Sequence, residues 1–323
     1  MNPGKEIFNL HLANTEKLLY EAKNQSNPAI WLFENGLRTP MFMLESTARV
    51  YEKIYDSKDL EKRKEQIKLV EDAIGAVDYY NAYAIELATN LKIKPEIIDY
   101  LHKQKELKLA ELNKILEDEN WLDGKRIEKI KSTINDIDWL SEKDEFAKIK
   151  KFFAKTVEKI NEFMTETTFD FDHVEDDIHE LRRRLRWLSI YTQALNGFFK
   201  YTESNDKVDD YLKKYLTDET INSKFNILPN TIKFEKPIEI NKTNFFALSW
   251  IIAELGRIKD EGLRILVLKE AIENTDNSSE EISESEIYKI LNKEQKSLED
   301  LLSNAEKIVK TFFKENNIDL ILV

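Results

Sequence analysis

The residues best suited to chemistry lie in one stretch, Asp172–Phe199, which reads DHVEDDIHELRRRLRWLSIYTQALNGFF. From His179 to Arg186 it holds a histidine and four arginines, in a chain whose net charge is −12. Helical geometry, at about 100° per residue, puts His179, Arg182, Arg183 and Arg186 on one side. Ile178, Leu181, Leu185 and Leu188 form an adjoining apolar stripe. One helix would then carry a packing face and a basic face. Guanidinium groups pair bidentately with phosphate oxygens and a protonated imidazole adds a donor, so such a face could hold a polyanion. Arg257, Lys259 and Arg264 could contribute if their helix borders the same groove. The neighbouring acids argue the other way. Glu180 precedes Arg183 and Arg184 by one helical turn, and Glu175, Asp176 and Asp177 stand one or two turns upstream. Pairs at that spacing are worth about 0.2–0.5 kcal/mol each and would neutralise part of the face.

Other chemistries find less support. D-x-x-H occurs at Asp99/His102 and Asp176/His179, which is reminiscent of the carboxylate–histidine pairs of di-iron bundles. The usual carboxylate there is glutamate, and His102 sits in a lysine-rich segment that looks solvent-facing, so a metal-binding helical-bundle enzyme is the remote alternative. His11 and His173 read as surface or cap residues. The chain has no cysteine, which excludes disulfides, thiolate metal sites and cysteine nucleophiles. No G-x-S-x-G, P-loop or G-x-G-x-x-G is present, so no catalytic role and no cofactor is expected. Trp31, Trp121, Trp139, Trp187 and Trp250 could anchor a protein partner, although core packing explains them more simply.

The elements that must position these residues are helices. Charged residues make up 34% of the chain, with only 7 Gly and 6 Pro, which favours long helices with few tight turns. The acidic balance argues against general nucleic-acid or anionic-membrane binding, though a local basic pocket survives screening over about 8–10 Å. No run approaches the roughly 18 apolar residues of a membrane span, and the N-terminus lacks a secretory pattern, so a cytoplasmic protein is expected.

Apolar spacing predicts helices over 3–25, 30–55 (with Pro40 kinking it or marking its first turn), 57–90 and 95–117. A shorter connector follows over 121–140, then a helix from Ser141. Ser57 is expected as an N-cap. The 172–199 stretch is the next helix. Residues 206–242, with Pro229 and Pro237, read as an irregular insertion with at most a small hairpin. Helix returns over 243–274, the NTDNSSEE segment reads as a loop, and 283–315 as one final helix. The apolar tail 318–323 is expected to dock, and the last helix and tail could also do so in trans, forming a homodimer.

A repeat is visible within this order. Leu37, Arg38, Met41 and Leu44 match Leu181, Arg182, Leu185 and Leu188 at constant offset. Residues 68–87 resemble 250–269, each an apolar helix with a glycine at its middle, Gly75 or Gly256, followed by Asp78 or Asp260. Glycine inside a helix costs about 1 kcal/mol relative to alanine, so close helix contact is its expected purpose. Two similar helical bundles result, 1–140 and 141–323.

The motif H-E-L-R-x-x-x-R (His179, Arg182, Arg186), followed by L-G-x-x-x-D (Leu255, Gly256, Asp260), resembles the CHAD family, the conserved histidine α-helical domain. The resemblance implies an all-α fold of two pseudosymmetric four-helix bundles. It also implies inorganic polyphosphate, or a similar polyanion, as partner in the groove between them. The first copy departs from the pattern: Asn35 stands where the histidine would be, TPMFML (39–44) replaces positions that are usually basic, and Tyr79 rather than Asp78 aligns with Asp260. The expected site is then His179, Arg182, Arg183 and Arg186, with Arg257, Arg264, and Arg38 and Arg49 from the weakened half. The alternative is a helical scaffold or protein-interaction protein without anion binding.

Overall fold

The computed structural model describes residues 2–202, 209–275, 282–291, 296–315 and 317–323. In chain order the helices are α1 (Pro3–Ala22), α2 (Pro28–Glu34), α3 (Arg38–Tyr55), α4 (Lys58–Leu87), α5 (Pro95–Asp118) and α6 (Lys125–Asn135). They continue with α7 (Glu142–Glu166), α8 (Glu180–Ala194), α9 (Asp218–Ile221), α10 (Lys242–Thr275), α11 (Glu284–Leu291) and α12 (Leu298–Lys314). The protein is all-α. Two three-residue strands, β1 (Phe199–Tyr201) and β2 (Ile238–Ile240), accompany them.

The chain divides into two compact units that are not consecutive halves of the sequence. One, here the N-terminal unit, comprises Phe8–Asp138 and Leu263–Ser297; the other, the C-terminal unit, comprises Trp139–Gly262, Met1–Ile7 and Leu298–Val323. Local chemistry sets the helix ends in each.

In the N-terminal unit, Asn27 Oδ1 accepts from the Ile30 amide at 3.2 Å and Pro28 opens α2. The predicted single helix over 30–55 is interrupted instead, because Gly36 takes φ +73°, a left-handed conformation that ends α2. Pro40 then falls in the first turn of α3, where its missing amide proton is no loss. Ser57 caps α4 as expected, its Oγ accepting from the Leu60 amide at 3.3 Å. Helix α4 packs along both α3 and α5. Leu37, Met41, Leu44, Ile67, Val70 and Leu112 fill the space between them, and Trp121 is fully buried.

Two polar ties cross this interior. The Tyr80 and Tyr100 hydroxyls both donate to Glu270, at 3.0 and 2.9 Å. Burial and the bond to Glu270 push the Tyr80 phenol up to about 12. Lys64 Nζ donates to buried Glu52 at 2.7 Å.

The C-terminal unit is built on α7 and α8. Ser141 Oγ accepts from the Asp144 amide at 3.2 Å and starts α7. Phe152 meets Tyr191, and Phe153 meets Phe199, with ring centroids 5.1 and 5.3 Å apart. The 172–199 stretch is not one continuous α-helix. It opens with a turn of π-helix, Val174–His179, before α8, and leaves helical geometry after Ala194. Asp177 closes the entry, its carboxylate accepting from the Asp172 and His173 amides at 2.8 Å each. Ile178, Leu181, Leu185 and Leu188 are all fully buried, so the apolar stripe is the packing face.

Among its described residues the insertion forms no hairpin. Strands β1 and β2 pair in parallel, Phe199 opposite Ile238, which the long connection between them allows. The tail docks on β2: Leu322 bridges Ile240 in antiparallel fashion, and Ile318 and Ile321 are buried. The predicted final helix is two helices, α11 and α12, with Lys296 and Ser297 outside helical geometry. The loop expected over NTDNSSEE lies, from 276 to 281, outside the described residues.

Two outcomes follow. Gly197 combines φ +84° with a backbone oxygen, that of Ile232, only 1.9 Å from where a Cβ would sit. Gly197→Ala should lose about 3 kcal/mol or more in urea unfolding. Gly124→Ala, at φ +81° with nothing within 4 Å, should lose only about 1–2 kcal/mol. Burial pushes the Glu52 carboxyl up, but hydrogen bonds and charge from Lys53 and Lys64 outweigh this and leave it below its ordinary 4.5. A depressed carboxyl contributes stability above its unfolded pKa and loses it as pH falls through the folded value. Below pH 4.5 the stability of the wild type should therefore fall more steeply than that of Glu52→Gln in pH-resolved denaturation.

Candidate functional site

A guanidinium keeps its charge wherever it is packed and must be given acceptors. Arg182, half-buried on α8, is one instance. It projects from α8 onto α10 within the C-terminal unit, where its Nε donates to the Ile252 carbonyl at 3.1 Å. A Cβ on Gly256 would lie 3.0 Å from that Nε, so the glycine makes room for the guanidinium rather than for a neighbouring helix backbone. Burial pushes its pKa down, and the charge of Asp260 opposes the shift.

The N-terminal unit contains the same contact. Arg38 of α3 lies on Gly75 of α4, whose Cβ would fall 2.9 Å from Nη2. Its Nη1 meets Asp78 at 2.6 Å and its Nε meets Glu71 at 2.9 Å. The one-residue offset of Asp78 therefore does not break the ion pair. Glu71 also acts on Glu45, whose carboxyl burial holds above its ordinary value despite the hydrogen bond and charge of Arg49. Arg49 Nη2 reaches Glu45 at 2.7 Å.

The other predicted site residues are engaged as well. His179 Nδ1 is bound to Glu175, and this bond holds the Glu175 carboxyl below its ordinary value against the opposing effect of burial. Arg183 pairs with Glu180 at 2.5 Å and Arg184 with the same carboxylate at 2.7 Å. Arg184 also covers the Phe163 ring at 4.2 Å. Arg186 is half-buried and likewise engaged. Arg257 is clamped by Glu219 at 3.0 Å and by Glu254, and Arg264 is bound to Glu86. His179, Arg182, Arg183, Arg186 and Arg257 thus belong to the C-terminal unit, and Arg38, Arg49 and Arg264 to the N-terminal unit. Among the described residues no group of three or more His, Asp or Glu side chains could hold a metal ion.

The sequence reading overlooked an apolar display in the C-terminal unit. Ile221, Phe225 and Ile227 are 49%, 56% and 70% exposed within seven residues. Their backbone is pinned rather than loose. Gln193 Nε2 donates to the Phe225 and Ile227 carbonyls at 3.0 and 3.1 Å, and the Tyr201 hydroxyl donates to the Asn226 carbonyl at 2.8 Å. Asn226 Nδ2 in turn holds the Thr220 carbonyl at 2.7 Å. The available signal was the large apolar residues Ile221, Phe225 and Ile227 in INSKFNILP, part of a segment that alternates only weakly, as short edge strands do.

Arg182→Ala removes a half-buried donor and its packing and should lower stability by about 1–3 kcal/mol in urea unfolding. Arg183→Ala, at an exposed pair, should stay within about 0.5 kcal/mol. No protein-family model, no curated protein and no solved structure matches the chain.

Proposed function

We propose that this protein is a non-catalytic, helical protein-interaction scaffold. The observation that carries the reading is the pinned apolar loop at Ile221–Ile227, three large side chains held toward solvent by four side-chain-to-backbone hydrogen bonds. Pre-ordering of this kind removes the entropy that a mobile loop would lose on binding, and exposed apolar side chains favour partners with an apolar groove. The engagement of every predicted polyanion-binding cation supports the same reading. Acids accompany the cations at short range, so little net positive potential extends into solvent to collect a polyanion.

Binding of inorganic polyphosphate or a related polyanion is the second reading, and one observation favours it. The ion pairs of Arg183, Arg257 and His179 are exposed, and exposed pairs are worth about 0–1 kcal/mol, so phosphate oxygens could replace their carboxylates cheaply. In it, Arg182 and Arg38 hold the fold and only the exposed cations touch ligand. The recurrence of the arginine-on-glycine contact also supports an internal duplication of CHAD type, with the L-R and L-G motifs serving packing.

Binding to long-chain polyphosphate, titrated against salt, separates the two. The scaffold reading expects no measurable binding near 0.15 M salt. It also expects a photo-crosslinker placed at Phe225 in cells to give a discrete protein adduct that Ile227→Ser abolishes. Tight binding that falls steeply with salt, and flattens in His179→Ala/Arg183→Ala/Arg257→Ala, would install the polyanion reading instead.

A further inference from the structure

Most cations of this chain discussed so far have a carboxylate within their own unit; those along the outer face of α7 do not. Lys151, Lys155, Glu158, Lys159, Glu162 and Glu166 are all exposed, and among the described residues none makes an ion pair or a side-chain hydrogen bond. Their order is unfavourable within one helix. Lysines follow each other at i,i+4 through Lys151, Lys155 and Lys159, and glutamates do the same through Glu158, Glu162 and Glu166, so each set repels itself. The i,i+3 neighbours Lys155/Glu158 and Lys159/Glu162 offset this only in part. The last turn of α7 carries no basic residue, which sets Glu162 and Glu166 against the negative end of the helix dipole.

The same order is self-complementary. A second α7 laid antiparallel, on a twofold axis between Glu158 and Lys159, brings Lys151 opposite Glu166, Lys155 opposite Glu162 and Glu158 opposite Lys159. Each pairing occurs twice under the symmetry. The two helix dipoles then also oppose, and every repulsive i,i+4 neighbour gains an opposite charge.

Lys151, Lys155, Glu158, Glu162 and Glu166 of the stripe themselves line a groove. It has a volume of about 1010 Å³ and runs between α7 and the docked tail, floored by Ala154, Val157, Ile318 and Leu322. The charged stripe from Lys151 to Glu166 is about 22 Å long at 1.5 Å per residue. Charged rims that fix register around a modest apolar floor are the anatomy of a specific, non-obligate interface. We infer that this face of the C-terminal unit is a self-association surface, and that its occupant is the α7 of a second copy of this chain. The inference is independent of which ligand the other surfaces take.

Charge exchange tests it, with the full-length protein followed by sedimentation equilibrium. The wild type should form a dimer that dissociates as salt rises. Lys151→Glu/Lys155→Glu and Glu162→Lys/Glu166→Lys should each weaken self-association by at least about tenfold, because each puts like charges opposite one another. Mixing the two variants should restore a heterodimer, since their altered stripes are complementary. One chain carrying all four changes should dimerise again, which also shows that the substitutions leave the fold intact. A wild type that stays monomeric throughout the micromolar range would overturn the inference. So would dimerisation indifferent to either reversal, or a mixture in which both variants remain monomeric.

Discussion

An arginine cannot discharge itself inside a protein, so wherever one is packed against a helix the surroundings must be organised around it. This constraint recurs in each unit, at two half-buried arginines. Arg182 needs the Ile252 carbonyl, the nearby charge of Asp260 and a glycine at 256 to lie flat against α10. Arg38 needs Glu71, Asp78 and a glycine at 75. Glycine weakens a helix interior by about 1 kcal/mol, and both helices carry this loss in long, otherwise apolar stretches that packing stabilises. The guanidinium fixes which helix faces meet, and the residues around it inherit their positions from that contact.

The reading of the arginine-rich stretch changes accordingly. Leucine and arginine spacing along α8 places the leucines inward as expected, and the same rotation turns Arg182 inward with them. A residue that looked like the centre of a basic face is a packing element. Those left at the surface, Arg183 and Arg257 among them, meet acids within a turn or from a neighbouring segment. Charge opposite charge at such distances leaves a field that water and salt extinguish within a Debye length.

Legibility in the sequence followed the range of the interactions concerned. Caps at Ser57 and Ser141, the helix start at Pro95 and the buried stripe of α8 depend on residues a few positions apart, and local pattern sufficed. Glu180 announced its pairing with Arg183 and Arg184 by spacing alone, whereas Glu175 goes to His179 and Asp177 to backbone amides. The break at Gly36 was missed because the apolar period continues across it, and only the backbone dihedral reveals the turn. The π turn at Val174–His179 hid for a similar reason: one extra residue per turn shifts a stripe without erasing it. The parallel pairing of β1 with β2, and the docking of Leu322 on Ile240, join segments far apart in the chain, where no periodicity reaches. In the candidate site, the purpose of Gly75 and Gly256 was half legible. A close approach could be deduced, but not that a guanidinium makes it.

On the proposed reading, recognition falls to groups the fold leaves unanswered. Two such sets stand out in the C-terminal unit. One is apolar: Phe225 and Ile227, held out by hydrogen bonds to their backbone with more than half of each residue left exposed. The other is charged, and its arrangement along α7 opposes both the helix dipole and its own i,i+4 neighbours. Folding alone favours neither. A surface that is locally unfavourable yet rigidly presented stores a driving force for association, because a partner that relieves it need not first order it. On this view the Arg182–Gly256 contact serves recognition indirectly, by holding α8 against α10 in the unit that carries both surfaces.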